Sequence, residues 1–97
     1  MPHTVAKRYK VCQEVITAIE RAAPVHGSHG RALQVAAELL IRMPKPIPVP
    51  DAFKNARPLI GKTYKLTPRT VELIDQMTAT YGRRGDVLAA CAEILKQ

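Results

Sequence analysis

The sequence lacks the patterns that mark a disulfide scaffold or a membrane protein. Its two cysteines, Cys12 and Cys91, are too few for a disulfide framework and have no paired metal-ligand spacing, so both are expected to be structural. No apolar run approaches the roughly 20 residues of a membrane span, and no segment has the pattern of a signal peptide. We therefore expect a cytoplasmic protein without a membrane partner.

Arrangements that support catalysis or cofactor binding are also missing. No Ser, His and Asp set and no pair of carboxylates stands out. The Gly-Lys-Thr sequence at positions 61–63 copies the end of a P-loop, but Ala56 occupies a position that requires glycine, and a strand pattern follows. His26 and His29 with Cys12 lack the second ligand pair of a structural zinc site. We expect no enzyme, no metal and no other cofactor.

Acidic residues are scarce relative to basic ones, eight against fifteen, and the formal charge is +7. A molecule with this charge is attracted to polyanions. Charge alone identifies no partner, and a basic protein that is merely soluble is an equal alternative at this point. The 97 residues, 46% of them apolar, suit one compact domain.

Two short segments, Lys7 to Val11 and Lys62 to Leu66, have the alternating pattern of a half-buried strand. A strand this short is not stable alone, so each requires a partner strand and a cover for its apolar face. The residues before the first strand, 1–6, show no period and are expected to form a loosely held arm. The apolar positions, assigned to the core, are Tyr9, Val11, Tyr64 and Leu66, and the polar positions are Arg8, Lys10, Thr63 and Lys65.

Two segments with helical spacing of apolar residues follow the first strand, Gln13 to Ala23 and Arg31 to Arg42. Pro24 is expected to end the first of these helices. Residues 43–61 then form a linker that contains five of the eight prolines and is expected to be semi-rigid in its first half. Within it, Asp51 to Ala56 is predicted to form a helical turn.

After the second strand, Thr67 is predicted to be a helix N-cap, with Pro68 at the first helical position. Gly82 suits the left-handed residue that ends this helix, and Asp86 is predicted to be the N-cap of the final helix. The inward stripe of the earlier of these two helices contains Val71, Ile74, Met77 and Tyr81.

The second half of the chain repeats the first. An offset of 55 residues aligns positions 7–41 with 62–96 without a gap and gives ten identities in 35 positions, with the apolar positions in phase. We interpret this as an internal duplication. The domain 1–97 then consists of repeats at 7–42 and 62–97, joined by the linker. The identities are Lys7/Lys62, Tyr9/Tyr64, Lys10/Lys65, Ile19/Ile74, Gly27/Gly82, Gly30/Gly85, Leu33/Leu88, Ala37/Ala92, Glu38/Glu93 and Leu40/Leu95.

Two strand-helix-helix copies resemble the ribbon-helix-helix family of DNA-binding proteins, of the Arc, MetJ and CopG kind. The segment Lys62 to Pro68, the apolar stripe after it and the Gly-Arg-Arg-Gly-Asp sequence at 82–86 carry the resemblance. It implies a mostly α protein whose two-stranded antiparallel β-ribbon enters the DNA major groove. Because both halves lie in one chain, it also implies a single-chain pseudo-dimer. The tandem form is similar to plasmid-transfer accessory proteins, including those that bind the overdrive element of T-DNA.

The resemblance assigns two kinds of DNA contact. It places base reading on Arg8, Lys10, Thr63 and Lys65, whose side chains can bond guanine or touch a thymine methyl group. It places phosphate binding at the start of each repeat's second helix, where free N–H groups and the helix dipole favour an anion. These phosphate-binding residues are Ser28, His29, Gly30, Arg31, Arg83, Arg84 and Gly85. A solvated polar face and plain glycine-rich turns are the alternatives.

The expected function is double-stranded DNA binding, as a regulator or as an accessory factor in plasmid maintenance or in conjugative or T-DNA transfer. The expected form is a monomer that assembles on DNA, with other DNA-processing or transfer proteins as further partners. The alternative is a protein-interaction module that uses its helical body or its proline-rich linker.

Overall fold

The computed structural model describes residues 3–54 and 56–96. They form a mostly helical protein with one two-stranded antiparallel sheet, as predicted. Among these residues no helix combines the length and apolarity needed to cross a membrane. The elements are β1 (Val5–Val11), α1 (Gln13–His26), α2 (His29–Arg42), α3 (Asp51–Lys54), β2 (Ile60–Leu66), α4 (Pro68–Tyr81) and α5 (Arg84–Lys96).

The two strands pair in a register centred on Arg8 and Thr63, which lie opposite each other. These two positions are also the ones matched by the 55-residue offset. The remaining pairs are symmetric about this centre. Lys10 faces Gly61, and the residues matched to these two by the offset, Lys65 and Ala6, also face each other. The ribbon therefore places matched positions of the two sequence copies at equal distances from its centre.

The inner face of the ribbon is buried against the helices. Tyr9, Val11, Tyr64 and Leu66 are each at most 4% exposed, which confirms their assignment to the core. A strand pair without such cover is marginal in water, so the helices provide the apolar burial that the ribbon needs.

Both strands begin two residues earlier than predicted, at Val5 and Ile60. Val5 lies opposite Leu66, and Ile60 lies opposite Val11. Each strand start is therefore held by the predicted end of the other strand, which satisfies its backbone groups. The prediction of a loose arm is wrong for residues 5 and 6, and the first two residues of that arm lie outside the described residues.

Helix α1 runs past Pro24 to His26, so the prediction that this proline ends the helix is wrong. A proline in the last turn removes a single helical N–H donor. The helix ends instead at Gly27, which has a φ of 101° and donates its N–H to the Ala23 carbonyl at 2.8 Å. Gly82 ends α4 in the same way, with a φ of 89°, as predicted.

The starts of the later helices differ in how well the sequence predicted them. Thr67 caps α4, because its Oγ1 accepts the Thr70 N–H at 3.2 Å. Helix α2 begins at His29, two residues earlier than predicted, because Ser28 Oγ accepts the Arg31 N–H at 3.1 Å. Side-chain caps of this kind stabilise a helix by about 1 kcal/mol.

The prediction that Asp86 caps the final helix is wrong, because α5 already begins at Arg84. The carbonyl of Arg83 accepts the Val87 N–H at 3.2 Å and starts the helical hydrogen bonds. Asp86 therefore lies in the first turn, where a carboxylate still interacts favourably with the helix dipole.

The linker is packed against the helices. The Tyr81 hydroxyl donates to the Ile47 carbonyl at 2.8 Å, and Ile47 and Val49 contact the core. The predicted helical turn is α3, whose Phe53 is 7% exposed. The linker thus adds apolar material to the core as well as joining the repeats.

Candidate nucleic-acid interface

The outer face of the ribbon carries the four residues predicted to read bases. Alternation along paired strands places them together, and the side chains of all four are exposed. Two further positions share this face, Ala6 and Gly61, which the sequence reasoning missed. Extending the alternation two residues towards the start of each strand would have found them. In ribbon order the facing pairs are Ala6 with Lys65, Arg8 with Thr63, and Lys10 with Gly61.

Gly61 gives the Arg8 side chain room on this face. A Cβ atom at position 61 would collide with the Arg8 guanidinium group. Arg8 therefore extends from its own strand across the neighbouring strand. Its five donors lie on the exposed face of the ribbon, where a bidentate contact to a flat hydrogen-bonding edge is possible.

The second helix of each sequence copy begins beside the strand of the other copy. A Cβ atom on Gly30, in the first turn of α2, would collide with the Lys65 carbonyl oxygen. A Cβ atom on Gly85, in the first turn of α5, would lie 2.6 Å from the Lys10 carbonyl oxygen. Only glycine allows both close approaches. These reciprocal contacts fix a helix N-terminus against each long edge of the ribbon.

The cleft at the start of α2 lies against β2. Its lining includes Ser28, His29 and Gly30 from the helix start and Lys62 and Lys65 from the strand, with no carboxylate among the described residues that line it. The structure thus brings three of the predicted phosphate-binding residues together beside a predicted base-reading lysine.

Two of the side chains at the start of α2 have neighbours within the protein. The His29 ring centre is 6.3 Å from that of Tyr64. Arg31, the fourth predicted phosphate-binding residue here, points one turn along the helix, where its guanidinium donates to Gln34 Oε1 at 3.3 Å. Of the first-turn N–H groups, which a helix N-terminus can offer to an anion, that of Arg31 donates to Ser28 Oγ.

The start of α5 lies against β1 and holds two arginines that pair with carboxylates. The Arg83 guanidinium donates to Asp86 at 3.3 and 3.4 Å. Arg84 Nε donates to Asp75 Oδ1 at 2.7 Å, and this contact raises the pKa of Arg84. Sequence reasoning missed Asp75. The signal was its alignment with Glu20, which places an acid at the same position of both repeats.

Two tyrosine hydroxyls lie beneath the ribbon without a hydrogen-bond partner in the described part of the chain, those of Tyr9 and Tyr64. Burial raises the pKa of each to about 12. Their rings are on the inner face, so the structure places them away from the exposed side chains of the ribbon.

In residues 3–54 and 56–96, no group of three or more His, Cys, Asp or Glu side chains could hold a metal ion.

No family model matches the chain, and neither a curated protein nor a solved structure matches it.

Proposed function

We propose that the protein binds double-stranded DNA by inserting the outer face of its β-ribbon into the major groove. The major groove of B-DNA is about 12 Å wide and admits a two-stranded ribbon. The starts of α2 and α5 flank this ribbon and can hold a backbone phosphate on each side. The net charge of +7 adds a general attraction to the duplex.

The observation that carries this proposal is the register of the ribbon. Arg8 pairs with its matched position Thr63, and the two glycine contacts are reciprocal between the repeats. We infer a pseudo-dimer in which one chain supplies both halves of a two-fold DNA-binding unit. A reading surface of this kind faces a DNA site with approximate two-fold symmetry.

The side chains on the ribbon suit base recognition unequally in the two halves. Arg8 and Lys10 can donate to guanine O6 and N7, whereas Thr63 can bond a base edge or touch a thymine methyl group. Lys65 provides the matched donor to Lys10. The preferred site is therefore an imperfect palindrome.

The resemblance to tandem ribbon-helix-helix proteins suggests the setting of this activity. We propose a regulator or an accessory factor in plasmid maintenance or DNA transfer, which acts as a monomer and assembles on its site with other DNA-processing proteins. Covalent linkage makes ribbon formation independent of protein concentration. Sedimentation at low micromolar concentration should therefore show a folded monomer, and folding that required a second chain would contradict the pseudo-dimer.

A double variant, Arg8→Ala with Lys10→Ala, tests base reading. A duplex selected by the wild-type protein from a random pool serves as the probe. Each lost base contact should cost about 1 to 3 kcal/mol of discrimination, so preference for the selected duplex over a scrambled one should largely disappear.

The matched control is Arg42→Ala with Lys45→Ala. It removes the same charge from Arg42, at the exposed far end of α2 and about 20 Å from the helix start, and from Lys45 in the linker just after it. It should weaken binding to both duplexes alike and preserve the preference. Unchanged discrimination in a folded Arg8/Lys10 variant would overturn the proposal.

A protein-interaction module is the second candidate. A groove between α1, α3 and the end of α5 has apolar walls that include Phe53 and Leu95, and Val25 on its rim is 80% exposed. The packed linker is a weaker candidate surface than this groove, because Ile47 and Val49 already contact the core. A folded wild-type protein with no affinity for any duplex in the pool would favour this second function.

A further inference from the structure

A third cationic element reaches the DNA-facing surface from the linker. Arg57 and Leu59, which lie in the segment that leads into β2, are among the residues that line the cleft between β1 and the start of α5. Five basic side chains line this cleft, namely Arg8, Lys10, Arg57, Arg83 and Arg84. The cleft thus combines groups already assigned to base and phosphate contacts with one linker arginine that has no assigned role.

The Arg57 side chain makes few polar contacts with the described part of the protein. It is exposed, and its Nη1 donates to the carbonyl of the adjacent Ala56 at 3.0 Å. Within residues 3–54 and 56–96, no carboxylate lies within 4.0 Å of its guanidinium nitrogens. Arg83 and Arg84, by contrast, both pair with acids. Arg57 and Arg8 are therefore the two arginines of this cleft without a carboxylate partner among the described residues, and Arg57 is the one of the two with no assigned contact to DNA.

Among the residues that the structure describes, no linker arginine lines the corresponding cleft at the other end of the ribbon. The 55-residue offset matches Arg57 with Pro2, which carries no charge. The cleft at the start of α2 is lined by residues of α2, β2 and the turn before α2, and none of its described lining residues comes from the linker. Arg8 adds to this difference in charge between the two ends of the ribbon, because its guanidinium lies over Gly61, the residue opposite Lys10. Basic side chains are thus concentrated at the end of the ribbon that lies beside the start of α5.

We propose that Arg57 binds a DNA backbone phosphate beside the β1 edge of the ribbon, and that this one-sided contact fixes the orientation of the protein on its site. The inference rests on the proposed function and extends it from a two-fold ribbon to a directional one. A guanidinium group suits this role because it can donate two parallel hydrogen bonds to phosphate oxygens. The linker then acts as a clamp on one flank of the DNA.

The test compares Arg57→Ala with Lys45→Ala on the duplex selected by the wild-type protein. Loss of one phosphate contact should reduce the slope of log affinity against log salt by about 0.9 and weaken binding by about tenfold at 0.1 M salt. Lys45→Ala removes the same charge from an exposed linker position before α3 and should leave the slope nearly unchanged. Arg57→Lys should restore part of the affinity.

Ethylation interference on the same duplex locates the contact. In the wild-type complex, ethylated phosphates should interfere over a longer stretch at one flank of the site than at the other, and Arg57→Ala should remove that extra stretch. Equal flanks in the wild-type complex, or an unchanged pattern with Arg57→Ala, would overturn the directional clamp while DNA binding itself stands. A wild-type protein that selects no duplex would instead overturn the proposed function.

Discussion

The two helix starts that flank the ribbon share their backbone geometry and differ in their charge. At α2, Ser28 caps the helix and His29 follows it. At α5 the matched positions are Arg83 and Arg84, each paired with a carboxylate. Both helix starts nevertheless approach the ribbon through a glycine, so the two matched segments share the residue that allows this approach and differ in the neighbouring side chains that are exposed.

Helices α2 and α5 also differ in how completely they are buried. Residues 87–92 of α5 are all at most 4% exposed, whereas the matched segment of α2 leaves Gln34 and Val35 partly open. The linker accounts for part of this difference, because Phe53 of α3 packs by α5 and Lys96 Nζ lies 5.1 Å from its ring centre. The linker therefore contributes to the difference between the two helices as well as to that between the two clefts.

The largest effect on stability is expected at the glycines of the two helix starts, and it should be similar in the two halves of the chain. Gly30→Ala and Gly85→Ala should each lower the free energy of unfolding by about 2 kcal/mol, because the added Cβ must displace a helix start from the opposite strand. Gly27→Ala is the control, since it has a positive φ but open space around it, and it should cost about 1 kcal/mol. Urea unfolding measures all three. Full tolerance of alanine at either position, 30 or 85, would contradict the reciprocal contacts.

The buried tyrosines should also contribute equally. The pKa of each in the folded protein is about 12, above the ordinary value of 10.0, so their stabilising contribution is present below pH 10 and is lost as pH rises towards 12. Each should remove up to about 1.4 kcal/mol of stability per pH unit in that range. Tyr9→Phe and Tyr64→Phe should each flatten the alkaline loss measured by urea unfolding.

Tyr81→Phe provides a comparison for this pH dependence. Burial raises the pKa of Tyr81 as well, so Tyr81→Phe should also flatten the alkaline loss. Because the Tyr81 hydroxyl donates to the Ile47 carbonyl, the same change should in addition lower stability near neutral pH through the lost hydrogen bond. A flattening by Tyr9→Phe without one by Tyr64→Phe would show that the two halves of the core are not equivalent.

The smallest expected effect is on DNA affinity, and it should differ between the two halves of the chain. Asp75→Asn removes the carboxylate that holds Arg84. We expect DNA affinity to rise by about twofold to fivefold, because a DNA phosphate then no longer competes with this carboxylate for the Arg84 guanidinium. Glu20→Gln is the matched change in the first repeat, where residue 29 is a histidine, and it should have less effect. Fluorescence anisotropy with the selected duplex measures both. A fall in affinity with Asp75→Asn would mean that the carboxylate orients Arg84 for binding.

Local patterns predicted the parts of the fold that depend on local physics. Alternation identified the inner face of the ribbon, and cap chemistry identified Thr67 and Gly82, since each acts on its own neighbours in sequence. Boundaries that depend on a distant partner were missed. Val5 joins β1 because Leu66 lies opposite, and no feature of residues 1–6 alone indicates this.

The candidate interface was predictable to a similar degree. Repeat alignment and strand alternation brought Arg8, Lys10, Thr63 and Lys65 to one face, as the structure has them. The contact of Arg84 with Asp75 joins two helices, and the path that brings Arg57 beside β1 depends on how the linker packs. Such contacts follow from tertiary structure, so spacing along the chain could not predict them.

Methylation interference on a selected duplex tests the central proposal most directly. Dimethyl sulfate modifies guanine N7 in the major groove and adenine N3 in the minor groove, so one reaction reports on both grooves. Insertion of the ribbon predicts that guanine N7 methylation near the centre of the site blocks binding, that adenine N3 methylation there does not, and that Arg8→Ala removes part of the guanine signal. Interference confined to adenine N3, or none at the centre, would contradict a ribbon that reads the major groove.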